Sequence, residues 1–462
     1  MPSRKLTSLV LLLGTTALAA CSMTPAYTVP ATPAPAASYR EAGAWTPAAP
    51  ADAAPRGAWW SVFGDSTLDA LEQRIDDSPQ LAAAVARYDE AGALARQANA
   101  GLLPTLSANG FASKTDDPRN GHLNNNSLGL SAGYEVDLWG RMRALAEAGK
   151  AEAQASAADL ASVRLSLQAR LAETYVSLRG ADAQITLLQQ TSDAYQKALD
   201  LTNDRFKGGA SSPADVGRAK TQLSSTQAQL EQARASRALL EHALAVLVGQ
   251  SASTFRVDAV TTQVAVPQIP VDAPSQLLQR RPDVAAAERR IYEANQGIGV
   301  AKAAFFPDIT LSAGGGNEEY VGSTGPYWAI GPAAFTLPIF DGGAHSARLT
   351  QAKAAFSLAA DQYRQTVLSA FQDVEDQLAL ANHLATAASH EDDAVTAASE
   401  TNRLALVQYR EGAASYLDVV TAQTAELQAR SAALDIHTRR LLAGVDLIRA
   451  LGGGWQGLSK SG

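Results

Sequence analysis

Laid over itself at an offset of 203 residues, the sequence matches without a gap from residue 79 to residue 249, and this internal repeat constrains the fold more than any other feature. The offset pairs Pro79 with Pro282, Pro104 with Pro307 and Gly140 with Gly343. It continues through Gly209 with Gly412, Ser212 with Ser415, Asp215 with Asp418 and Gly249 with Gly452. Alanine-rich helices match one another by composition, but prolines, glycines and aspartates held in register do not. The chain is a tandem duplication, and each half must fold into the same series of elements.

Each half opens with a helix rich in Ala, Gln and charged residues, expected over residues 67–101 and 274–305, that stops before a proline. A β segment comes next. Leu128, Leu130, Ala132, Tyr134, Val136 and Leu138 alternate with Ser127, Gly129, Ser131, Gly133, Glu135 and Asp137, the period-two pattern of a strand with one apolar and one polar face. Its partner is expected over residues 105–114, across a polar loop that includes Asp116, Asp117, Pro118 and the run Asn124, Asn125, Asn126. In the second half the strands are expected over 308–314 and 327–339, joined by a glycine-rich turn through Gly325. There the offset sets Phe335, Leu337 and Ile339 at the places of Ala132, Tyr134 and Val136. Pro332 and Pro338 weaken that strand, and Pro338 is expected where it bends into the following helix.

Residues 141–206 and 344–409 then run without a proline and with few glycines, which reads as continuous helices ~100 Å long at 1.5 Å per residue. Leu171, Leu178, Ile185, Leu199 and Phe206 fall at multiples of seven, and the small Ala and Ser residues between them suit packing among more than two helices. Each long helix breaks at a glycine turn, 208–213 or 412–415, and a second helix returns to Gly249 or Gly452. Each half is thus a hairpin of strands followed by a hairpin of helices. The domain reading is a first repeat over 66–253, a linker over 254–273, a second repeat over 274–453 and a tail over 454–462.

The N-terminus says where such a chain resides. Arg4 and Lys5 precede an apolar run and then small residues, the layout of a secretory signal peptide over residues 1–20. Leu18, Ala19, Ala20 and Cys21 resemble the bacterial lipobox, which makes Cys21 the expected lipidation site; Ser22 after it favours the outer membrane. Cys21 is the single cysteine, so no disulfide forms within one chain. Several acyl chains at ~0.8 kcal/mol per buried CH₂ make a stable anchor. The stretch 21–65, crowded with Pro and Ala, reads as an extended tether or wrapping segment.

After the leader no apolar run approaches the roughly twenty residues of a membrane-spanning helix. The strands are a different matter. An open sheet edge in lipid leaves backbone groups unpaired, and single-chain bacterial barrels need at least about eight strands. Four strands cannot close a barrel alone. Two chains would supply eight and three would supply twelve, and the pattern does not choose between them.

Four strings carry a family resemblance: WWSVFGD from Trp59, RRPDVAAAERR from Arg280, IGVAKAAFFPDITLSAGGG from Ile298, and YREGAASYLDV from Tyr409. Through them, nearly the whole mature chain resembles outer-membrane efflux proteins of the TolC type, in the lipidated branch that serves resistance-nodulation-division pumps. The resemblance implies a mainly α homotrimer, its twelve-stranded transmembrane β-barrel continuous with a periplasmic α-helical barrel. It also implies a periplasmic adaptor and an inner-membrane pump as partners. The function implied is a passive exit duct for drugs or other small solutes. In that family the periplasmic tip is closed by hydrogen bonds between helices and lined by acidic rings. Asp215 and Tyr409 match one closing link, and Asp418 matches the first acidic ring. The basic latch position is Ala414 here, and the second acidic position is Thr421, so fewer polar links are implied. Asp215 also suits an ordinary helix cap beside Ser212. Adaptor contacts are expected at the turns holding Gly209, Ser212, Gly412 and Ser415.

Three rival readings remain at this level. Type I protein secretion uses a related duct, whereas an adaptor lipoprotein would show one helical hairpin flanked by many short strands, and a structural coiled-coil lipoprotein would lack the alternating strands. A nucleic-acid partner is set aside, because the formal net charge is −8, and two units more negative once Arg4 and Lys5 are lost. Six scattered His and three Met offer no paired metal-ligand spacing, residues 297–301 lack the glycines of a phosphate loop, and Asp373, Glu375 and Asp376 read as a solvated or lumen-facing cluster. No nucleophile–base arrangement is present, so no catalysis, cofactor or metal is expected.

Overall fold

The structure is a computed structural model that describes residues 22–32, 38–41, 57–117, 121–260, 264–267, 269, 280–320, 323–331 and 333–453. The expected signal peptide, Cys21, Pro332, the C-terminal tail 454–462, parts of the linker and the start of the second-half helix at 274–279 lie outside the described residues.

The elements run α1 (Ser66–Glu72), α2 (Pro79–Ala100), β1 (Thr105–Asp117), β2 (Gly121–Glu135), α3 (Arg141–Lys207) and α4 (Pro213–Leu247). The second series is α5 (Pro282–Ala303), β3 (Asp308–Tyr320), β4 (Ser323–Ile330), β5 (Ala334–Thr336), α6 (Ala344–Arg410) and α7 (Tyr416–Ala450). Both ends of α2, β1, α3 and α4 recur 203 residues later in α5, β3, α6 and α7. Both long helices have 67 residues and both return helices 35.

Three local expectations are corrected. The helix expected over 67–101 is divided into α1, a 3-10 turn at Ile75–Asp77 and α2. Ser78 stands extended at φ −68°, ψ 125°, as a residue before proline prefers, and this breaks the helix ahead of Pro79. The expected polar loop is mostly ladder: Asn124, Asn125 and Asn126 pair with Lys114, Ser113 and Ala112. The ladder is made by the backbone and these side chains are exposed or half-buried, so polar residues do not end the strand and composition misplaces the turn. The strand expected over 327–339 is split into β4 and β5 at Gly331, whose φ of 104° few other residues adopt, and Leu337 and Ile339 fall beyond β5.

By its contacts the chain divides into two compact units: Met1–Thr32, Ala86–Asp159 and Asp283–Thr366 form one, and Pro33–Val85, Leu160–Pro282 and Val367–Gly462 the other. The first holds the sheet. Its strands are antiparallel in the order β1-β2-β3-β4, with β5 also on β3, so the two halves meet along β2 and β3. Close approach there needs glycine: a Cβ on Gly316 would overlap the Leu128 carbonyl across the ladder. The sheet is inside out for a protein in water. Leu128 is 70 % exposed and Leu130 55 %, while Ser127 and Gly129, which alternate with them, are half-buried. Trp328, Ile330 and Phe335 are exposed as well.

At the base of these strands Trp139 stacks on Phe306 at 4.7 Å and donates from its ring nitrogen to the Pro307 carbonyl at 2.9 Å. The segment after Cys21 is strapped onto the same unit. Met23 donates its backbone N–H to the Trp139 carbonyl, Asn295 donates to the Pro25 carbonyl at 2.9 Å, and Tyr27 packs edge-on against Tyr292. Gly299 makes room for the strap, since a Cβ there would overlap Thr24.

The second unit contains the helical turns and a buried polar network. Asp65 caps α1 by accepting from the Thr67 and Leu68 amides, and it also accepts from the Tyr175 hydroxyl at 2.6 Å. Arg179 donates to the Tyr175 hydroxyl, to Asp182 and to the Asp258 carbonyl. Arg237, on α4, donates to Asp182 at 2.6 Å and to the Val257 carbonyl at 2.7 Å. Glu241 accepts from the Val257 amide, so the chain at 257–258 is fastened to α3 and α4. The acidic cluster is bonded rather than merely solvated. Asp373 accepts from Arg281 at 2.8 Å, and Glu375 accepts the backbone amides of Arg40 and Glu41.

The repeat turns close on the same plan. Gly249, at φ 69°, lies against the Asp77 carbonyl, where a Cβ would overlap the oxygen, and Gly452, at φ 86°, lies against the Arg280 carbonyl, where a Cβ would be tight. Along α3 the heptad stripe drifts as a 3.6-residue helix must. Leu171 and Leu178 are fully buried, Ile185 and Leu199 half-buried, and Phe206 is 44 % exposed.

Candidate functional site

The turns between α3 and α4 and between α6 and α7 are built on the same plan. A left-handed glycine, Gly209 at φ 76° or Gly412 at φ 82°, reverses the chain at a backbone angle that a Cβ disfavours. A serine then caps the return helix. The Ser212 hydroxyl accepts the Asp215 amide while the Asp215 carboxylate accepts the Ser212 amide at 3.1 Å; Ser415 and Asp418 form the same reciprocal box, with Ser415 N–H to Asp418 at 2.9 Å. Asp215 and Asp418 are therefore both helix caps.

Around this shared frame the two turns differ. Asp215 also accepts from the Ser211 hydroxyl at 3.3 Å and pairs with Arg218 at 3.0 Å. Desolvation pushes its carboxyl up, but the bonds from Ser212 and Ser211 and the charge of Arg218 outweigh it and hold the group below the usual carboxylate range. Asp418 has Ser415 as its hydrogen-bond donor, which also draws its carboxyl down, and it is fully solvated. The reason is legible at the offset positions: Ser211 corresponds to Ala414, and Arg218 to Thr421.

Tyr409 is 4 % exposed, packed with Ala219, Ala405, Tyr416, Val419 and Ala422. Its ring meets Tyr416 at 5.3 Å and 62°. Burial, with Tyr409 adding to it, pushes the Tyr416 phenol up to about 12. The Tyr409 hydroxyl stands 3.4 Å from the Ser211 hydroxyl and 3.5 Å from that of Thr202. Asp215 and Tyr409, matched in sequence as a closing pair, are thus brought together through Ser211 rather than by a direct bond. Asp418 belongs to the other turn's cap and does not join them.

Sequence reasoning missed Ser211, Thr202 and Arg205. Arg205, in the last turn of α3, donates to the carbonyls of Tyr409 at 2.9 Å and Arg410 at 3.1 Å. Its guanidinium lies 4.7 Å from the centre of the Tyr409 ring. No spacing along the chain announces a contact across 204 residues; the repeat offset, which brings Phe206 onto Tyr409, is the one signal that pointed there. Cys21, the expected lipidation site, lies outside the described residues.

Among the described residues no helix is long and apolar enough to cross a membrane, and no group of three or more His, Cys, Asp or Glu is placed to hold a metal. Comparison with known proteins agrees with the duplicated plan. The family described as outer membrane efflux protein matches twice, over residues 70–250 and 273–453. The toluene efflux pump outer membrane protein TtgC of Pseudomonas putida is 32% identical, across 95% of this chain and 93% of its own. The pyoverdine export outer membrane protein OpmQ of Pseudomonas aeruginosa is also 32% identical, across 99% and 98%. Among solved structures, the open state of the Neisseria gonorrhoeae MtrE outer membrane channel superposes with a TM-score of 0.80 at 29% identity, across 94% of this chain and 98% of that one. Each half matches the family where the duplication puts it, so the chain belongs to the outer membrane efflux proteins and is an efflux channel of the outer membrane.

Proposed function

We propose that three copies of this chain form the exit duct of a tripartite efflux system, passing small solutes passively and catalysing nothing. The observation that carries the reading is the inside-out sheet: apolar side chains face outward, and β1 and β4 end the strand order with one paired side each among the described residues. Such edges in lipid must be paired by another chain. Three copies supply the twelve strands that the family resemblance implies. In this reading Cys21 carries the lipid anchor, and the strap at residues 22–32 holds the anchor to the sheet-bearing unit.

The turns at Gly209, Ser212, Gly412 and Ser415 meet a periplasmic adaptor, which connects the duct to an inner-membrane pump of the resistance-nodulation-division type. Asp215 and Tyr409 act as the tip gate through Ser211, and three solvated Asp418 carboxylates form an acidic ring that disfavours anions. A relative whose structure is of an open state supports a tip that opens and closes. Relatives that serve toluene efflux and pyoverdine export favour small solutes over secreted proteins.

The test is conductance of the detergent-extracted mature protein in planar bilayers, with its oligomer mass measured on the same sample. A trimer whose basal conductance rises on Tyr409→Ala is expected. A monomer without conductance in either form contradicts the duct and favours an adaptor or structural lipoprotein.

A further inference from the structure

We infer that Arg205 is a positioning residue of the tip, a latch supplied by the first hairpin that holds Tyr409 where it reaches Ser211. The inference rests on the gate reading above and adds a residue that the motif comparison did not supply. The last carbonyls of a helix have no partner within it. At the end of α6, the Tyr409 carbonyl accepts from the Gly412 amide at 3.1 Å, and Arg205 bonds both that carbonyl and the Arg410 carbonyl beyond it. A cation at a helix C-terminus is favourable. Here the cation of α3 serves the C-terminus of α6.

The same guanidinium covers one face of the Tyr409 ring while Tyr416 meets the ring edge-on. Held between them, the ring carries its hydroxyl to 3.4 Å from Ser211, which in turn donates to Asp215. Arg205 is suited to both tasks at once because guanidinium is planar, bridges two acceptors and stacks on aromatic faces; an ammonium does only the first, and less directionally. Its Nε is buried and has no hydrogen-bond partner among the described residues, so the two carbonyls are held by the terminal nitrogen alone. The link is one-sided. At the repeat offset Arg205 corresponds to Gln408, which has no charge to give the end of α3. A basic latch is therefore present although Ala414 occupies the position where the family resemblance implied one.

The experiment is single-channel recording of the full-length lipidated protein carrying Arg205→Ala, Arg205→Lys, Tyr409→Ala or Arg205→Ala with Tyr409→Ala. Loss of a charge-assisted bond pair should raise open probability about tenfold in Arg205→Ala. Arg205→Lys should fall between that variant and the unmodified protein. The double variant should open no further than Tyr409→Ala alone, because both changes release the same contact. Additive effects, or a rise matched by a loss of trimer on native gels, would mean a merely structural role and overturn the latch. An Arg205→Ala channel as quiet as the unmodified one, beside an open Tyr409→Ala channel, overturns the latch and leaves the gate standing. If Tyr409→Ala is also quiet, the gate reading fails and takes the latch with it. Should Arg205→Ala not assemble, Arg205→Gln keeps the volume, removes the charge and is read the same way.

Discussion

The two helical hairpins share their backbones almost residue for residue and differ in how they are held. The first, α3 with α4, is fastened by a largely buried polar network of Tyr175, Arg179, Asp182, Arg237 and Glu241, and by Ser211 and Arg218 around Asp215. At the offset positions the second, α6 with α7, has Leu378, Asn382, Ala385, Arg440 and Gly444, and Ala414 and Thr421 around Asp418. Gly444 packs against Ile269 where Glu241 accepts the Val257 amide in the first half. Duplication preserved what the backbone needs, the left-handed glycines and the serine caps, because these have few substitutes. The groups that meet neighbouring segments diverged freely, and polarity collected in the first hairpin.

The largest test of that difference is Asp182→Ala. It removes the carboxylate shared by buried Arg179 and half-buried Arg237, leaving Arg179 only neutral partners, and should destabilise the protein by about 3 kcal/mol, the low end of the cost of breaking a buried ion pair. Thermal unfolding followed by circular dichroism in detergent measures it. The second hairpin already has alanine at the equivalent Ala385, and its neighbour Asn382 satisfies itself on the Glu41 carbonyl at 2.7 Å. If Asp182→Ala costs under about 1 kcal/mol, an ordinary surface pair's worth, the claimed asymmetry is not energetic.

Glu72 breaks the pattern from the other side. Its carboxyl is 1 % exposed with neither oxygen hydrogen-bonded among the described residues, and burial pushes it up to about 9. The folded state therefore holds a proton that the unfolded state releases above its ordinary value, so the protein loses stability as pH rises from about 4.5 towards 9. Glu72→Gln removes this dependence and should stabilise the fold by about 3 kcal/mol at pH 7, with little change at pH 4. Melting temperatures of the two proteins that stay parallel across this range would show that Glu72 is ionised and paired.

The smallest effect is the sharpest comparison. Ser212→Ala and Ser415→Ala should each cost about 1 kcal/mol, because the two caps are the same. The caps' carboxylates both titrate below the usual range, so their contribution is intact above about pH 4 and is lost as pH falls further. Asp215 has the additional donors Ser211 and Arg218. Carboxyl titrations followed by NMR should therefore place Asp215 below Asp418, and the reverse order would mean that Ser211 and Arg218 do not engage it.

Much of this was legible in the sequence because repeats, caps and turns are local. The 203-residue offset, the glycine turns, the serine caps and the 67-residue helices follow from residue types whose backbone preferences are strong. The sequence pattern makes the first helix too long because it runs on past Asp76 and Asp77 and the break depends on a single proline. The asparagine run reads as a loop because asparagine favours turns, yet within β2 it is held by its ladder partners. What could not be read were contacts between distant segments. Arg205 on Tyr409, and Arg237 on Asp182, join positions that carry no common spacing and exist only once the helices lie side by side.

The central claim is that the exposed edges of the sheet, at β1 and β4, are joined by other copies into a closed barrel of three chains. Cysteines placed along β1 at Ala108 or Ala112 and along β4 at Ala329 test it directly, by oxidation in native outer membranes followed by denaturing electrophoresis. A closed barrel predicts disulfides between β1 of one copy and β4 of the next, and a ladder that ends at the trimer. Monomer alone at every position, or a ladder that passes beyond three, would contradict it.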